Sequence, residues 1–377
     1  MAIQRKRNGM EAGNTTAPTS AQAVSPSDDH PFVRKVRDYA ERTLRPTALQ
    51  TEREGVTAGR IQELRELGLL NHLAPDGYGG LDRNADRRVQ EIMAGACFNT
   101  WLVWAQHASL TARLAESAKA RKTLPDLARK ALAGKILLGA GVSDVRSFPT
   151  RYIEATRTDG GWIFSGTISW VSGWGLSSAL SVAAVEKPTE TVVTALVEVG
   201  ERTRAAAHLD LAAVAGSRTE RVILDDVFVP DEHVISQQTL EQTRFNDIGI
   251  ASDARSHHFG LAETVLRELE EAPDPLVQAV AATWRPRVAR IRKTAYALSD
   301  EAAAAGGGPY QLGERLATKV ASGEALATLT RALVVARAGR GLSDGDTAQL
   351  HARSALFVLV QGQSADVRRA QLTHLAR

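Results

Sequence analysis

At 377 residues, with 46 Lys and Arg interleaved among 43 Asp and Glu and a net charge of +3, the chain can bury a large core and lacks the basic balance of a nucleic-acid binder, although it leaves room for a local basic patch that meets an anionic substrate handle. Its one cysteine, Cys97, excludes an internal disulfide and a thiolate cluster, and no metal-ligand spacing, P-loop or dinucleotide fingerprint appears. No apolar run is long enough to cross a bilayer and the first thirty residues lack the apolar centre of a secretory signal, so the expected location is cytoplasmic.

In chain order, Met1–His30 is rich in Ser, Thr, Asn, Gly and Ala and reads as a disordered tail. Residues 31–135 read as a helical domain. Val33, Val36 and Tyr39, then Ile61, Leu64 and Leu67, recur at helical spacing, with breaks at Ala74-Pro75-Asp76-Gly77 and Gly79-Gly80. Cys97 falls in the apolar helical run Ile92–Val103, where a small buried hydrophobe is expected. Residues 136–235 shift to a period of two, with Leu180, Val182 and Ala184, then Val222 and Leu224, and Pro230 marks the exit from this β domain. Residues 236–377 return to helical spacing. Pro273, Pro275, Pro286 and Gly306-Gly307-Gly308-Pro309 are expected to cut this segment into four or five helices, whose apolar faces form a bundle.

The densest chemical signal lies between Asp159 and Ala184. Trp170 and Trp174, with Ser172 between them, can wall a pocket for a flat ring with polar edges. Trp170-Val171-Ser172 resembles the Trp-Ile-Ser/Thr triplet of the acyl-CoA dehydrogenase superfamily of flavoproteins. Glu66-Leu67-Gly68-Leu69, Pro75 and Tyr78-Gly79-Gly80 upstream resemble that family in the same order, as do Gly216-Ser217-Arg218 and Val222–Pro230 downstream.

The resemblance implies an α+β fold: an N-terminal helical domain, a middle β-barrel-like domain and a C-terminal helical bundle that assembles homodimers or homotetramers. It implies FAD, with Trp170 and Val171 along the isoalloxazine and the Ser172 hydroxyl at the ring edge near N5. Backbone groups of Leu138, Gly139 and Gly141 and the Ser143 hydroxyl would meet the pyrimidine side, in a segment that keeps Gly, Ser and Asp144 but lacks the family's Thr-Glu-Pro. Where the family has an arginine followed by Gln-Phe-Gly at the cofactor's pyrophosphate, the stretch taken to correspond, Ser299–Pro309, has no arginine. That departure opens FMN or an exchangeable reduced flavin as alternatives.

The family's catalytic glutamate is also missing. Arg368 occupies the position after the C-terminal Gly-containing loop, and apolar Ile250 the alternative position on the first helix after the β domain. Three residues are candidates for acid–base work. Asp253 and His257, four apart, would share a helix face, whereas His258 would point elsewhere; Asp253 also reads as a plain helix-start acid. His107 sits where hydroxylases of the superfamily present a histidine, and it equally reads as a satisfied core residue. Asp366 reads as a capping acid. Two activities follow. One is a flavin oxidoreductase acting on an acyl thioester, bound to coenzyme A or a carrier protein, by α-proton abstraction and hydride transfer to N5. The other is a two-component monooxygenase supplied by a separate flavin reductase. A third reading is non-redox carbanion chemistry or an inactive binding subunit.

Overall fold

The computed structural model describes residues 28–74, 81–118, 124–206 and 208–377. Most of the tail expected at Met1–His30 and the whole Pro75–Gly80 turn lie outside the described residues. Helices α1 (Pro31–Tyr39), α2 (Ala48–Glu54), α3 (Ala58–Leu67), α4 (Arg83–Ala96), α5 (Phe98–Ala118) and α6 (Asp126–Leu132) come first. Strands follow: β1 (Leu138–Gly141), β2 (Glu154–Thr158), β3 (Gly161–Val171), β4 (Ala179–Glu186), β5 (Thr191–Glu198), β6 (Thr203–Ala205), β7 (Glu220–Pro230) and β8 (Val234–Thr239). Helices α7 (Leu240–Ala251), α8 (Ser256–Glu270), α9 (Pro275–Ala304), α10 (Leu312–Arg337), α11 (Thr347–Val360) and α12 (Ala365–Leu375) close the chain. This is the helix, sheet, helical-bundle order of the α+β expectation.

Local chemistry sets several boundaries. The Asp82 carboxylate accepts from the Asn84 and Ala85 amides and starts α4, and Thr57 caps α3, which ends at left-handed Gly68. Cys97 has extended backbone, so the run Ile92–Val103 is two helices rather than one. Its thiol is buried as expected and accepts from the Thr100 hydroxyl at 3.2 Å. Pro286 does not cut the bundle. α9 runs through it for 30 residues, because Ala281, Val288 and Ala295 are buried in the main core and packing outweighs one lost backbone hydrogen bond. Pro230 ends β7, but β8 still follows, and its polar Ser236-Gln237-Gln238 hides it from a hydrophobic pattern.

The strands form one sheet in the order β6-β7-β3-β2-β4-β5-β8, with β1 added in parallel to β4. β5 and β7 stand three strands apart in that order, yet Val193, Ala195 and Val197 share a core with Val222, Leu224 and Val229. The sheet therefore curls over its own apolar face, although no pairing between β6 and β8 closes it. A separate core joins the N-terminal helices to the C-terminal bundle. α4 and α8 cross at glycines: a Cβ on Gly260 would lie 2.1 Å from the Glu91 carbonyl oxygen, and one on Gly95 would lie 2.6 Å from that of Gly260. That close approach seats the α8 N-terminus against α5 and α10.

Candidate functional site

Trp170 is the penultimate residue of β3, and its indole is 45% exposed while its neighbour Val171 is fully buried. The strand departs from strict alternation here: Ile168, Ser169 and Val171 are all buried, the pairing with β7 shifts register between Ile168 and Val171, and Trp170 is left facing out. Asp144, just beyond β1, pins this end of the strand: its buried carboxylate accepts from the Ser169 amide at 2.9 Å and the Ser169 hydroxyl at 2.5 Å. Past the strand, the Ser172 hydroxyl is buried and hydrogen-bonds Thr219 at 2.8 Å, and Thr219 in turn bonds Ser217 at 2.7 Å. The three hydroxyls form one chain, and Thr219 is the only partner of the Ser172 hydroxyl among the described residues. Trp174 does not join Trp170 in one wall; it packs against the core of the sheet.

The β1 residues serve the sheet. The Leu138 side chain is fully buried and its amide donates to His107 Nδ1 at 3.0 Å, so that N–H is committed. Gly139 and Gly141 are glycines because of packing: a Cβ would lie 2.7 Å from Leu180 and 2.7 Å from Ile168, respectively. Ser143 is half-buried, and its hydroxyl has no hydrogen-bond partner among the described residues.

The acid–base expectations need two corrections. His107 is fully buried, and its Nε2 donates to the Leu70 carbonyl at 2.7 Å while Nδ1 receives the Leu138 amide. Both ring nitrogens are spent on backbone, and burial brings its pKa down to about 4. It is a core histidine that ties α5 to β1. Asp253 and His257 share no helix face, because α7 ends at Ala251 and α8 begins at Ser256, which leaves Asp253 in the connection. The Asp253 carboxylate instead accepts from Arg315 Nε at 2.7 Å and from the Ser299 hydroxyl at 3.2 Å. His257 stacks between Trp101 and His258, each with its ring centroid 4.4 Å away. The two histidines are thus neighbours rather than divergent, since first-turn side chains can bend together. Burial, then His258, Arg255 and Lys319, hold His257 neutral. His257 alone of the three candidates has no hydrogen-bond partner among the described residues. Arg368 on α12 is exposed, and Ile250 is 38% exposed at the end of α7.

What the sequence reading missed is a group of cations around the α7–α8 connection. Arg146, just after Asp144, forms a bidentate pair with Asp247 of α7 at 2.7 Å on both arms. Lys319 of α10 is buried, with its ammonium 2.6 Å from the Ala251 carbonyl. Burial first, then Arg255, brings its pKa down to about 7. Arg255 lies within electrostatic reach of Asp253, Arg113, Arg146 and Asp247, and Arg113 of α5 within reach of Asp247. A lysine inside the apolar stretches of α10 was a legible hint, because a long cation on a core-facing helix position needs a reason. Among the described residues no group of three His, Cys, Asp or Glu side chains could hold a metal ion, and no helix is long and apolar enough to cross a membrane.

Comparison with known proteins fits this geometry. Residues 26–131 match the family described as acyl-CoA dehydrogenase, N-terminal domain. The chain is 25% identical over 279 residues to the human mitochondrial short-chain specific acyl-CoA dehydrogenase; the match spans 66% of this chain and 63% of that protein, under two thirds of the relative's length. The fold is similar to butyryl-CoA dehydrogenase from Megasphaera elsdenii, with a TM-score of 0.75 at 18% identity over 92% of this chain and 97% of that one. It is also similar to a glutaryl-CoA dehydrogenase from Mycobacterium smegmatis in complex with FADH2, with a TM-score of 0.72 at 16% identity over 93% of this chain and 94% of that one.

Proposed function

Because the chain belongs to the acyl-CoA dehydrogenase superfamily, we propose that it is a flavin-dependent oxidoreductase acting on an acyl thioester, with FAD held against Trp170. One observation carries this reading: a large indole left open at the end of a buried strand, beside a hydroxyl whose other side is already engaged by Thr219. An exposed tryptophan at a rigid strand end costs apolar surface in water, and a flat ring stacked on it recovers that cost. The residues present therefore fit the cofactor.

Bound flavin supplies the two-electron acceptor that no side chain here can provide. The chain's own residues position and tune. Asp144 fixes the backbone next to Trp170, and the Ser217–Thr219–Ser172 chain holds the Ser172 hydroxyl, which would serve as the donor to the ring edge if Thr219 donates to it. Ser143 offers a second, unengaged hydroxyl. For the proton on the thioester's α-carbon, His107 and Asp253 are committed elsewhere, and although His257 makes no hydrogen bond among the described residues, its burial against Trp101 and His258 disfavours the imidazolium it would become, so none of the three is a ready base. Assembly as a homodimer or homotetramer is supported by the exposed Val335 and Leu356 and the exposed Leu372 on the bundle helices.

The test is anaerobic titration of the FAD-loaded protein with acyl thioesters. Bleaching of the oxidised flavin supports the reading. Colourless protein that takes up reduced FAD or FMN and consumes oxygen supports the monooxygenase instead, and a protein that binds flavin in neither redox state removes both. Ser172→Ala is expected to shift the flavin spectrum and lower turnover by about ten- to a thousandfold; unchanged spectra and rates would strike Ser172 from the site.

A further inference from the structure

We propose that the cleft between α1, α4 and α8 is a binding site for a phosphate group, with Arg37, Arg88 and Arg267 as its donors and Asp28 as the carboxylate it displaces. The cleft shares no residue with the Trp170 end of the sheet or with the α7–α8 connection, so the inference stands apart from the flavin reading.

The cleft is a cavity of about 160 Å³ at the crossing of α4 and α8, where Gly95 and Gly260 both line it. That is room for a ligand larger than one water, and among the lining residues four guanidiniums face three carboxylates. Arg37 comes from α1, Arg88 from α4 and Arg267 from α8, while Arg45 follows the π-helical turn Ala40–Leu44 that carries Glu41. Shared partners show how close these groups lie. Asp28 Oδ1 accepts from Arg37 Nη2 and, at 2.6 Å, from Arg88 Nε. Glu41 accepts from Arg45 through two bonds of 3.0 Å and from Arg267 at 3.2 Å.

The hydrogen-bond inventory of the wall identifies what fits. Every carboxylate in it is engaged: Glu41 by Arg45 and Arg267, Glu91 by Arg88 and Arg292, and Glu263 by Arg285. Arg45 is engaged too, since its third nitrogen gives to the Gly95 carbonyl at 3.1 Å. The other three arginines are not. Nε and Nη1 of Arg37, Nη2 of Arg88, and Nε and Nη2 of Arg267 make no hydrogen bond among the described residues, and all three side chains are partly open to water. Donors without acceptors call for a ligand that only accepts. A tetrahedral phosphate presents oxygens in several directions and suits donors arriving from three helices, whereas a planar carboxylate serves one pair. Asp28 already shows that Arg37 and Arg88 hold an oxyanion together. It is no part of the wall: it lies on the segment leading into α1, and its side chain is more than half exposed.

The experiment is isothermal titration of the full-length protein, in a buffer without oxyanions, with inorganic phosphate, with glycerol phosphate and with malonate. One-site saturation by phosphate is expected, weakened at least about tenfold in Arg37→Gln and in Arg267→Gln and tightened about threefold or more in Asp28→Asn, which removes the competing carboxylate. A variant that binds more tightly is folded, so the Asp28 arm keeps the test valid if an arginine variant fails to fold. Saturation by glycerol phosphate as well assigns the site to a phosphoryl group on a larger molecule, and saturation by inorganic phosphate alone assigns it to the free ion. No saturable binding of phosphate to the parent or to Asp28→Asn overturns the proposal. So does an affinity unchanged in both glutamine variants or in Asp28→Asn, or malonate bound as tightly as phosphate.

Discussion

Two charge clusters in this chain look alike in residue type and differ in balance. On α4, Glu91 is 3% exposed and receives Arg292 through two bonds of 2.6 and 3.0 Å, Arg88 at 3.0 Å and the Tyr296 hydroxyl at 2.5 Å, while Arg88 also reaches Asp28 at 2.6 Å. Every charge there has an opposite. The Arg113, Arg255 and Lys319 group has three cations and no carboxylate of its own. Charge satisfied from within holds helices together, whereas a buried cation without a carboxylate, as at Lys319, opposes folding.

The sharpest way to break the comparison is Glu91→Gln. Removing the carboxylate strands the Arg292 guanidinium at the seam where α4 meets α9 and leaves Arg88 with Asp28 alone, and the expected loss is about 3–5 kcal/mol of unfolding free energy in a denaturant titration. A loss below about 1 kcal/mol would place this cluster among weakly coupled surface pairs and remove the contrast.

A second balanced cluster sharpens it. At the other end of α8 from Arg255, Glu268 accepts from Thr347 at 2.6 Å, His351 at 2.9 Å and Arg337 at 3.1 Å. Burial alone would raise its pKa, but these donors, His351 foremost, hold it at about 2 against an ordinary 4.5. A carboxyl depressed in the folded state contributes stability above its unfolded pKa and loses it as pH falls through the folded one. About 3 kcal/mol is therefore expected to disappear between about pH 4.5 and pH 2, and Glu268→Gln should flatten that limb of the curve. An identical acid limb in the variant would show that Glu268 is not the group responsible.

How much of this could be read from the chain alone follows from how local each signal is. The triplet Trp170-Val171-Ser172 stood out because its residues are contiguous, and Asp144 was visible upstream, although its grip on Ser169 was not. The order of helices, sheet and bundle followed from hydrophobic period. His107 was misplaced because a histidine on an apolar helix looks the same whether its ring meets substrate or the Leu138 amide. The Asp253–His257 pair failed because the helix breaks between them, in a stretch with no proline or glycine to announce it. Arg113, Arg146, Arg255 and Lys319 are scattered over more than two hundred residues, and only the fold brings them together.

The smallest expected effect tests the unbalanced cluster. Lys319 has a folded pKa of about 7 against an ordinary 10.5, with burial and then Arg255 opposing its charge and Asp253 and Asp247 only partly offsetting them. Below about pH 7 the lysine is charged in both states, and the folded protein carries the full penalty of holding that charge among Arg255 and Arg146. Between about pH 7 and 10.5 the folded state sheds the proton while the unfolded state keeps it, so this group's contribution to stability rises with pH. Lys319→Met removes the charge and keeps the volume. It is expected to be more stable than the parent by about 1–2 kcal/mol at pH 6, with the advantage fading by pH 10. The same substitution in the Glu91 cluster's sense would destabilise, so a methionine variant less stable at pH 6 would show that Lys319 is a structural cation already satisfied by the Ala251 carbonyl, and the contrast between the two clusters would close.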